Sequence, residues 1–179
     1  MTPATAVGDI EMRIAKVVGL ATAEDEPFYY IVLEEVAGDR HLAIAIGHAE
    51  AFSLAAHLGG ITWRRPMTYQ FVAALVQALG GRVRQVRIDR VVQETYIATV
   101  EVEGPPGVQA VDARPSDALN LVALVPAPIV VAPGVLQEAE ARRADDSPEA
   151  ARLRRALPAA PMTVGTVGMP GGDVGATPP

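Results

Sequence analysis

Cysteine is absent from all 179 residues. That excludes disulfides, thiolate zinc sites, iron–sulfur clusters and cysteine nucleophiles together, and it suits a reducing compartment. Aromatic residues make up only 4% of the chain, and histidine occurs three times, at His41, His48 and His57. His48-Ala49-Glu50 has the spacing of zinc deaminases, but the cysteine ligands those enzymes need do not exist here. His48 and His57 would fall on opposite faces of one helix, which argues against a three-histidine zinc site. Positive charge is in deficit: 15 Lys+Arg against 21 Asp+Glu leave a net charge of −6. A generally basic nucleic-acid surface is thereby excluded, although a local basic patch is not.

Long unbroken hydrophobic runs are missing too. The longest uncharged stretch, Ala118 to Gln137, holds Asn120 and is interrupted by Pro126, Pro128 and Pro133. It reads as buried helix, turn and buried strand, with no membrane span. The first ten residues carry no Lys or Arg and no apolar segment follows, unlike a secretory leader. The expectation is a soluble, cytoplasmic protein without membrane contact. Neither a nucleophile elbow nor a glycine-rich phosphate loop occurs.

What is present is a large apolar fraction, 50% of residues, enough for one domain core. Residues 1–10 read as a flexible lead-in. Glu11–Leu20 reads as a strand with Met12, Ile14, Val18 and Leu20 in one row. Ala23 to Pro27 is a charged turn, and Phe28–Val36 and Arg40–Ile46 pair about Ala37-Gly38-Asp39. His48–Leu58 is a helix closed by Gly59-Gly60, and Tyr69–Leu79 is a second, capped by Thr68 and closed by Gly80-Gly81. Arg82–Val92 and Thr95–Glu103 form a second hairpin. A short strand at Val108–Asp112, a third helix at Asp117–Val125 and a strand at Ile129–Ala132 follow. Pro133–Ala144 and Ser147–Leu157 read as surface helices, and residues 158–179 as a disordered Pro/Gly-rich tail. The predicted class is α+β: a mixed, largely antiparallel sheet built from hairpins, with three apolar helices packed on it. The helix at Tyr69–Leu79 is too apolar for a solvent-facing element. It is central or lies at a subunit interface, so a homodimer or larger homo-oligomer is expected.

Several constellations could carry chemistry. Glu50, Ser53 and His57 share one helical stripe, with the composition of a catalytic triad or simply of a solvated face. Arg82, Arg84 and Arg90 share one strand face by simple alternation, with Arg87 on the other. They form a phosphate track, or they pair with Glu101 and Glu103. Arg65-Pro66-Met67-Thr68 and Arg114-Pro115-Ser116-Asp117 each lead an extended Arg-Pro into an apolar helix. Two arginines converging near two helix N-termini would favour anions. Asp112-Ala113-Arg114-Pro115-Ser116-Asp117 is the densest polar cluster. In a structural reading, Ser116 or Asp117 caps the helix and Arg114 pairs with Asp112 or Glu50. If that arginine is buried, its loss should cost roughly 3–5 kcal/mol. In a functional reading, the carboxylates bind a divalent cation and the arginine binds phosphate.

The motifs Leu42-Ala43-Ile44-Ala45-Ile46-Gly47 with Glu50-Ala51, Arg65-Pro66-Met67-Thr68, Val86-Arg87-Ile88 and Tyr96-Ile97-Ala98 occur in order. They are followed by Asp112-Ala113-Arg114-Pro115-Ser116-Asp117-Ala118 and Ala127-Pro128-Ile129. In this series the chain resembles a diverged member of the bifunctional nuclease (BFN) domain family, known from bacteria and plants, over roughly Met12 to Leu136. The domain is set at residues 11–137, with surface helices at 138–157. The family's usual I-W-I-G is Ile44-Ala45-Ile46-Gly47 here, and its R-P-x-T-H-D is Arg65-Pro66-Met67-Thr68-Tyr69-Gln70. Tyr69 and Gln70 thus occupy the family's His and Asp positions. The resemblance implies a nuclease on RNA or DNA assisted by Mg2+ or Mn2+. Asp112, Asp117 and Glu50 would be its catalytic carboxylates, Asp112 and Asp117 its metal ligands, and Arg65 and Arg114 its phosphate contacts. The Tyr69-Gln70 replacement implies weakened or lost cleavage. It equally suits a repurposed member that takes a small molecule or peptide in a pocket formed by Tyr69, Gln70 and Trp63.

Overall fold

The computed structural model describes residues 12–22 and 29–157. The lead-in, the turn at Ala23 to Pro27 with Phe28, and the tail from Pro158 lie outside the described residues. Chain order is β1 (Arg13–Thr22), β2 (Tyr29–Glu35), β3 (His41–Ile46), α1 (His48–Leu58), α2 (Thr68–Ala78), β4 (Arg82–Val92) and β5 (Thr95–Gly104). Then come β6 (Gly107–Ala113), α3 (Pro115–Ala123), β7 (Ile129–Val131), α4 (Pro133–Ala144) and α5 (Pro148–Ala156). The fold is α+β, and its seven strands form one curled sheet, a half-barrel, in the order β3-β2-β1-β7-β4-β5-β6.

All neighbours pair antiparallel except β4 and β7, which run parallel. The three residues of β7 therefore join two hairpin units into one sheet. Each of them is buried, as expected of a strand flanked on both sides and covered on both faces. Among the described residues, edge strands β3 and β6 have no second neighbour.

The main core gathers Ile31, Leu33, Leu42 and Ile44 from one end of the sheet and Val86, Ile88 and Ala98 from the other. α3 fills the space between. From Pro115 to Val122 only Asp117 escapes burial, and Leu119 is fully enclosed. Burying one such leucine is worth roughly 1.5–3 kcal/mol. α4 adds Val135, Leu136 and Ala139 to the same core. α5 places Leu153 against Tyr30, Val32 and Ala43 on the opposite sheet face. Among the described residues, no helix is long and apolar enough to cross a membrane.

Two expectations about strand faces are corrected by bulges, each of which shifts side-chain parity by one residue. In β1, Ile14 is 57% exposed, whereas Ala15 and Val17 face the main core. A register shift between Val17 and Gly19 then brings Leu20 inward. The expected row of Met12, Ile14, Val18 and Leu20 does not exist. In β4, shifts after Val83 and after Ile88 set Arg82, Arg87 and Arg90 opposite Glu103, Thr99 and Ile97, all on one face. Arg87 is therefore not on the reverse side. Its Nη1 donates to Glu101 and its Nε forms an ion pair with Asp89, while Arg82 bonds Glu103, which neutralises much of the expected phosphate track.

Helix starts also move. α3 begins at Pro115, two residues before the predicted Asp117, because proline is well placed in a first turn whose N–H groups lack partners anyway. Neither Ser116 nor Asp117 is its cap; that position belongs to Arg114, in an extended conformation with φ −66° and ψ 142°. α2 is preceded by Met67 rather than Thr68, and the Gln70 side chain accepts a bond from the Met67 N–H at 2.9 Å. α2 is not central, since none of its residues is buried.

Candidate functional site

Three helices begin close together. α1 starts after Gly47, α2 after Met67 and α3 after Arg114, and the first turn of each supplies one member of a polar cluster. Glu50 is the third residue of α1, Tyr69 the second of α2 and Asp117 the third of α3. Carboxylates are favoured in such turns because the unpaired N–H groups give a helix N-terminus partial positive charge. Gly47 leaves room for one of them: a Cβ there would sit 2.5 Å from Glu50 Oε2.

Arg114 joins the members. Its Nε donates to Asp117 Oδ2 at 2.7 Å, and its Nη2 donates to Asp117 Oδ1 at 2.9 Å and to Glu50 Oε1 at 2.7 Å. The Tyr69 hydroxyl donates to Asp117 Oδ1 at 2.7 Å. Nη1 of Arg114 has no partner among the described residues, and the side chain is 66% exposed. Of the two structural pairings expected for Arg114, Glu50 is correct and Asp112 is not.

Electrostatics follow from these bonds. The Arg114 hydrogen bonds hold the Asp117 carboxyl below its usual value; burial opposes them and Tyr69 assists. Burial, followed by the bond to Asp117, pushes the Tyr69 hydroxyl well above its usual value. Asp117, then Glu50, pushes Arg114 further up. At neutral pH Arg114 is therefore a guanidinium, Asp117 a carboxylate and Tyr69 a protonated phenol, with Glu50 as the second partner of Arg114. Asn120, 3% exposed inside the apolar α3, fixes the geometry by donating to the Ser116 carbonyl at 2.9 Å and the Glu50 carbonyl at 3.2 Å. This positioning residue was visible in the sequence only as the lone amide in a buried run.

The cluster separates two hollows. A cleft of about 570 Å³ opens between edge strand β3 and the start of β5, with Tyr30, Tyr96, Asp112, Arg114, Ser116 and Arg142 among its lining residues. A second hollow of about 410 Å³ is lined by His48, Glu50, Phe52 and Tyr69. Asp112 sits exposed on β6 without a bonded partner among the described residues. Arg65 is exposed, makes no described contact and lines neither hollow, so the two Arg-Pro arginines do not converge. Tyr69, Gln70 and Trp63 line one hollow together, but it holds only about 20 Å³; Gln70 is engaged by Met67, and Trp63 leans on Phe52 with ring centroids 6.0 Å apart. No hydrogen bond links Ser53 to His57 among the described residues, and Glu50 is turned to Arg114, so the stripe does not form a triad; of its three members only His57 is exposed.

The donor set does not make a ready cage for a divalent cation. Asp117 and Glu50 direct oxygens at Arg114, and no group of three or more His, Asp or Glu side chains stands within ligating reach among the described residues. Mg2+ commonly keeps most of its waters and uses one or two carboxylates, so the open carboxylate of Asp112 is the residue best able to take one.

An α+β half-barrel with an arginine clamped by carboxylates at converging helix starts defines the structural class. Family comparison makes it specific. The model of the bifunctional nuclease domain matches residues 31–144. An uncharacterized protein of Mycobacterium tuberculosis strain CDC 1551 is 33% identical over 140 residues, covering 78% of this chain and 84% of its own length. An uncharacterized protein of strain H37Rv matches to the same extent, 33% over 140 residues. The chain belongs to the bifunctional nuclease domain family.

Proposed function

We propose that the protein is a nuclease-like hydrolase of RNA or DNA phosphodiesters whose cleavage is slow, acting at the Glu50–Tyr69–Arg114–Asp117 cluster. The observation that carries this reading is Arg114. Two carboxylates hold its plane, while Nη1 remains available in the solvent-facing cleft for a phosphate oxygen. Family membership supplies the reaction class. Slowness follows from the proton inventory. A general base works best with a pKa near the operating pH. The Tyr69 hydroxyl is pushed up and the Asp117 carboxyl down, away from neutrality on both sides. Of the ligand pair expected for Mg2+ or Mn2+, Asp112 and Asp117, a hydrated cation would on this reading take Asp112, because Arg114 and Tyr69 already engage both Asp117 oxygens.

A second reading, capture of a small molecule or peptide beside Tyr69, is favoured by the hollow of about 410 Å³ where Phe52 and His48 supply apolar and aromatic wall. Gln70 adds little to it, because its side chain is engaged by Met67.

The test is purified full chain with single-stranded RNA and DNA, with Mg2+, with Mn2+ and with chelator. The controls are Asp112→Asn/Asp117→Asn and Tyr69→His/Gln70→Asp. Slow or absent cleavage by the native chain, raised by Tyr69→His/Gln70→Asp, is expected. Fast native cleavage abolished by Asp112→Asn/Asp117→Asn would sink the slow-enzyme part. No cleavage and no oligonucleotide binding by any form would sink the nuclease reading.

A further inference from the structure

The second helix is exposed in the wrong places. Met67, Phe71, Leu75 and Leu79 recur every four residues along one stripe and are 42%, 59%, 45% and 72% exposed. On its other side, Val72 and Val76 face Val100, Val102, Val111 and Leu121 across a groove of about 370 Å³. That groove opens beside β6, the sheet edge, where every residue from Gly107 to Asp112 is exposed, including Val108 at 44% and Val111 at 49%. Natural edges are usually guarded by lysine, proline or a covering element. β6 has neither lysine nor proline, and Asp112 is its single charge.

The groove runs between the Val72–Val76 side of α2 and the sheet edge, and the exposed stripe forms the outer side of the same helix. Val108, in register with Glu103, points to the far side of the sheet. Taking large aromatic side chains at roughly 150–250 Å² each and scaling the others down, the five exposed side chains on the helix side, Met67, Phe71, Leu75, Leu79 and Val111, present roughly 450–500 Å² of apolar surface. A monomer's largest patch is usually about 300–600 Å², and a stable dimer buries about 800 Å² per partner. Exposed Ala74 and Ala78 on the stripe side of α2, and Gln109 on the Val111 side of β6, extend the patch towards the dimer scale.

We infer that this face, α2 together with the β6 edge, is the two-fold interface of a homodimer, in which a second copy lays the same stripe and edge against the first. Charge selects the occupant. α2 has no charged residue between Thr68 and Ala78, and β6 has one. A face without charge can meet its own copy about a two-fold axis without like-charge repulsion, as an isologous contact requires. Nucleic acid would need the opposite, a basic face. The arrangement also reaches the functional cluster, because Tyr69 and Asp117 line the inner end of the groove. A side chain of the second copy seated there closes the side of the cluster away from the open cleft. The inference stands apart from the nuclease reading and does not need cleavage to be tested.

The experiment is sedimentation equilibrium of the full chain over about 1–100 μM, beside Phe71→Glu/Leu75→Glu. The native chain should sediment at twice its 18.8 kDa, and the variant as a folded monomer with dissociation at least 100-fold weaker. Hydrogen exchange supplies an independent readout. The β6 amides that point away from β5 should be protected in the native chain and should exchange faster on dilution into the monomer range. If Phe71→Glu/Leu75→Glu does not fold, Leu79→Lys at the helix end replaces it, with the same expected weakening. A native chain that is monomeric throughout overturns the inference. So does a dimer or larger assembly that persists in the folded variant with an unprotected β6.

Discussion

Replacing Arg114 by alanine tests whether the cluster is made in solution, and the structure sets the size of the effect. The guanidinium is 66% exposed, so its two ion pairs are screened by water, and exposed pairs are worth about 0.2–1 kcal/mol each. Glu50 is the costlier partner to strand, because its side chain is only 15% exposed. Together these give a loss of about 1–2 kcal/mol, below the ~3–5 kcal/mol of a broken buried pair. For a chain of this size that lowers Tm by roughly 2–8 °C. The pH dependence has a definite sign. Asp117 titrates lower in the folded state than its unfolded value near 3.8, so its contribution is present above that value and is lost as pH falls through the lower folded value. The gap between native protein and Arg114→Ala should therefore be full at pH 7 and should close below about pH 4. Urea unfolding of both proteins at several pH values measures it. A loss above about 4 kcal/mol would mean the charges are desolvated in a way the structure does not show. A gap that does not change with pH would mean that Arg114 and Asp117 are not paired.

Tyr69→Phe removes one part-buried hydrogen bond and leaves Asp117 with Arg114 alone, so thermal unfolding should show a loss of about 1 kcal/mol; the Asp117 carboxyl, followed by NMR titration, should move up towards its ordinary value. Arg40→Ala should cost more, about 1–3 kcal/mol by chemical denaturation, because it removes both close bonds to Glu35, at 2.7 and 2.9 Å, and leaves that carboxylate, 6% exposed, with only Arg13 at 3.9 Å. Hydrogen bonding to Arg40 lowers the Glu35 carboxyl, so this loss too should be present at neutral pH and shrink as the solution is acidified through that group's folded value.

How far these features could be read from the sequence depended on the range of the physics involved. α1 was legible to the residue, His48–Leu58, because glycines at both ends and an apolar period are local signals. The hairpin of β4 and β5 was legible for the same reason, from glycines before it and clean alternation in its second strand. Its turn was less so. Gln93 and Glu94 both take positive φ, 46° and 64°, which a two-residue hairpin turn requires but which neither residue type announces. The bulges in β1 and β4 were invisible, since each adds one residue that only the partner strand can register. The place of β7 between β1 and β4 was equally hidden: three apolar residues carry no information about which edges they join. At the site, the Glu50–Arg114 pairing could be named in advance as a charge match. The Tyr69–Asp117 bond could not, because it spans 48 positions and links two helix starts that nothing local brings together.

That bond changes what the Tyr69-Gln70 replacement means. Histidine and tyrosine can both donate a hydrogen bond, so tyrosine can hold Asp117 from the position where the resemblance places histidine. Only histidine titrates near neutral pH. The exchange therefore keeps the structural half of the interaction and discards the acid–base half. Gln70 does the same at the next position, accepting the Met67 N–H without bringing a negative charge. What remains is a cluster of net charge −1, from Arg114 against Glu50 and Asp117, beside the partial positive ends of three helices. On the proposed reading, a phosphodiester approaching Arg114 Nη1 meets nearly balanced charge, and binding should be weak until a cation offsets the carboxylates. Asp112, outside the arginine's reach and open to the cleft, is where hydrated Mg2+ or Mn2+ would do so. If Asp112 holds a cation there, its charge would offset the carboxylates, and chelation should raise KM before it lowers kcat.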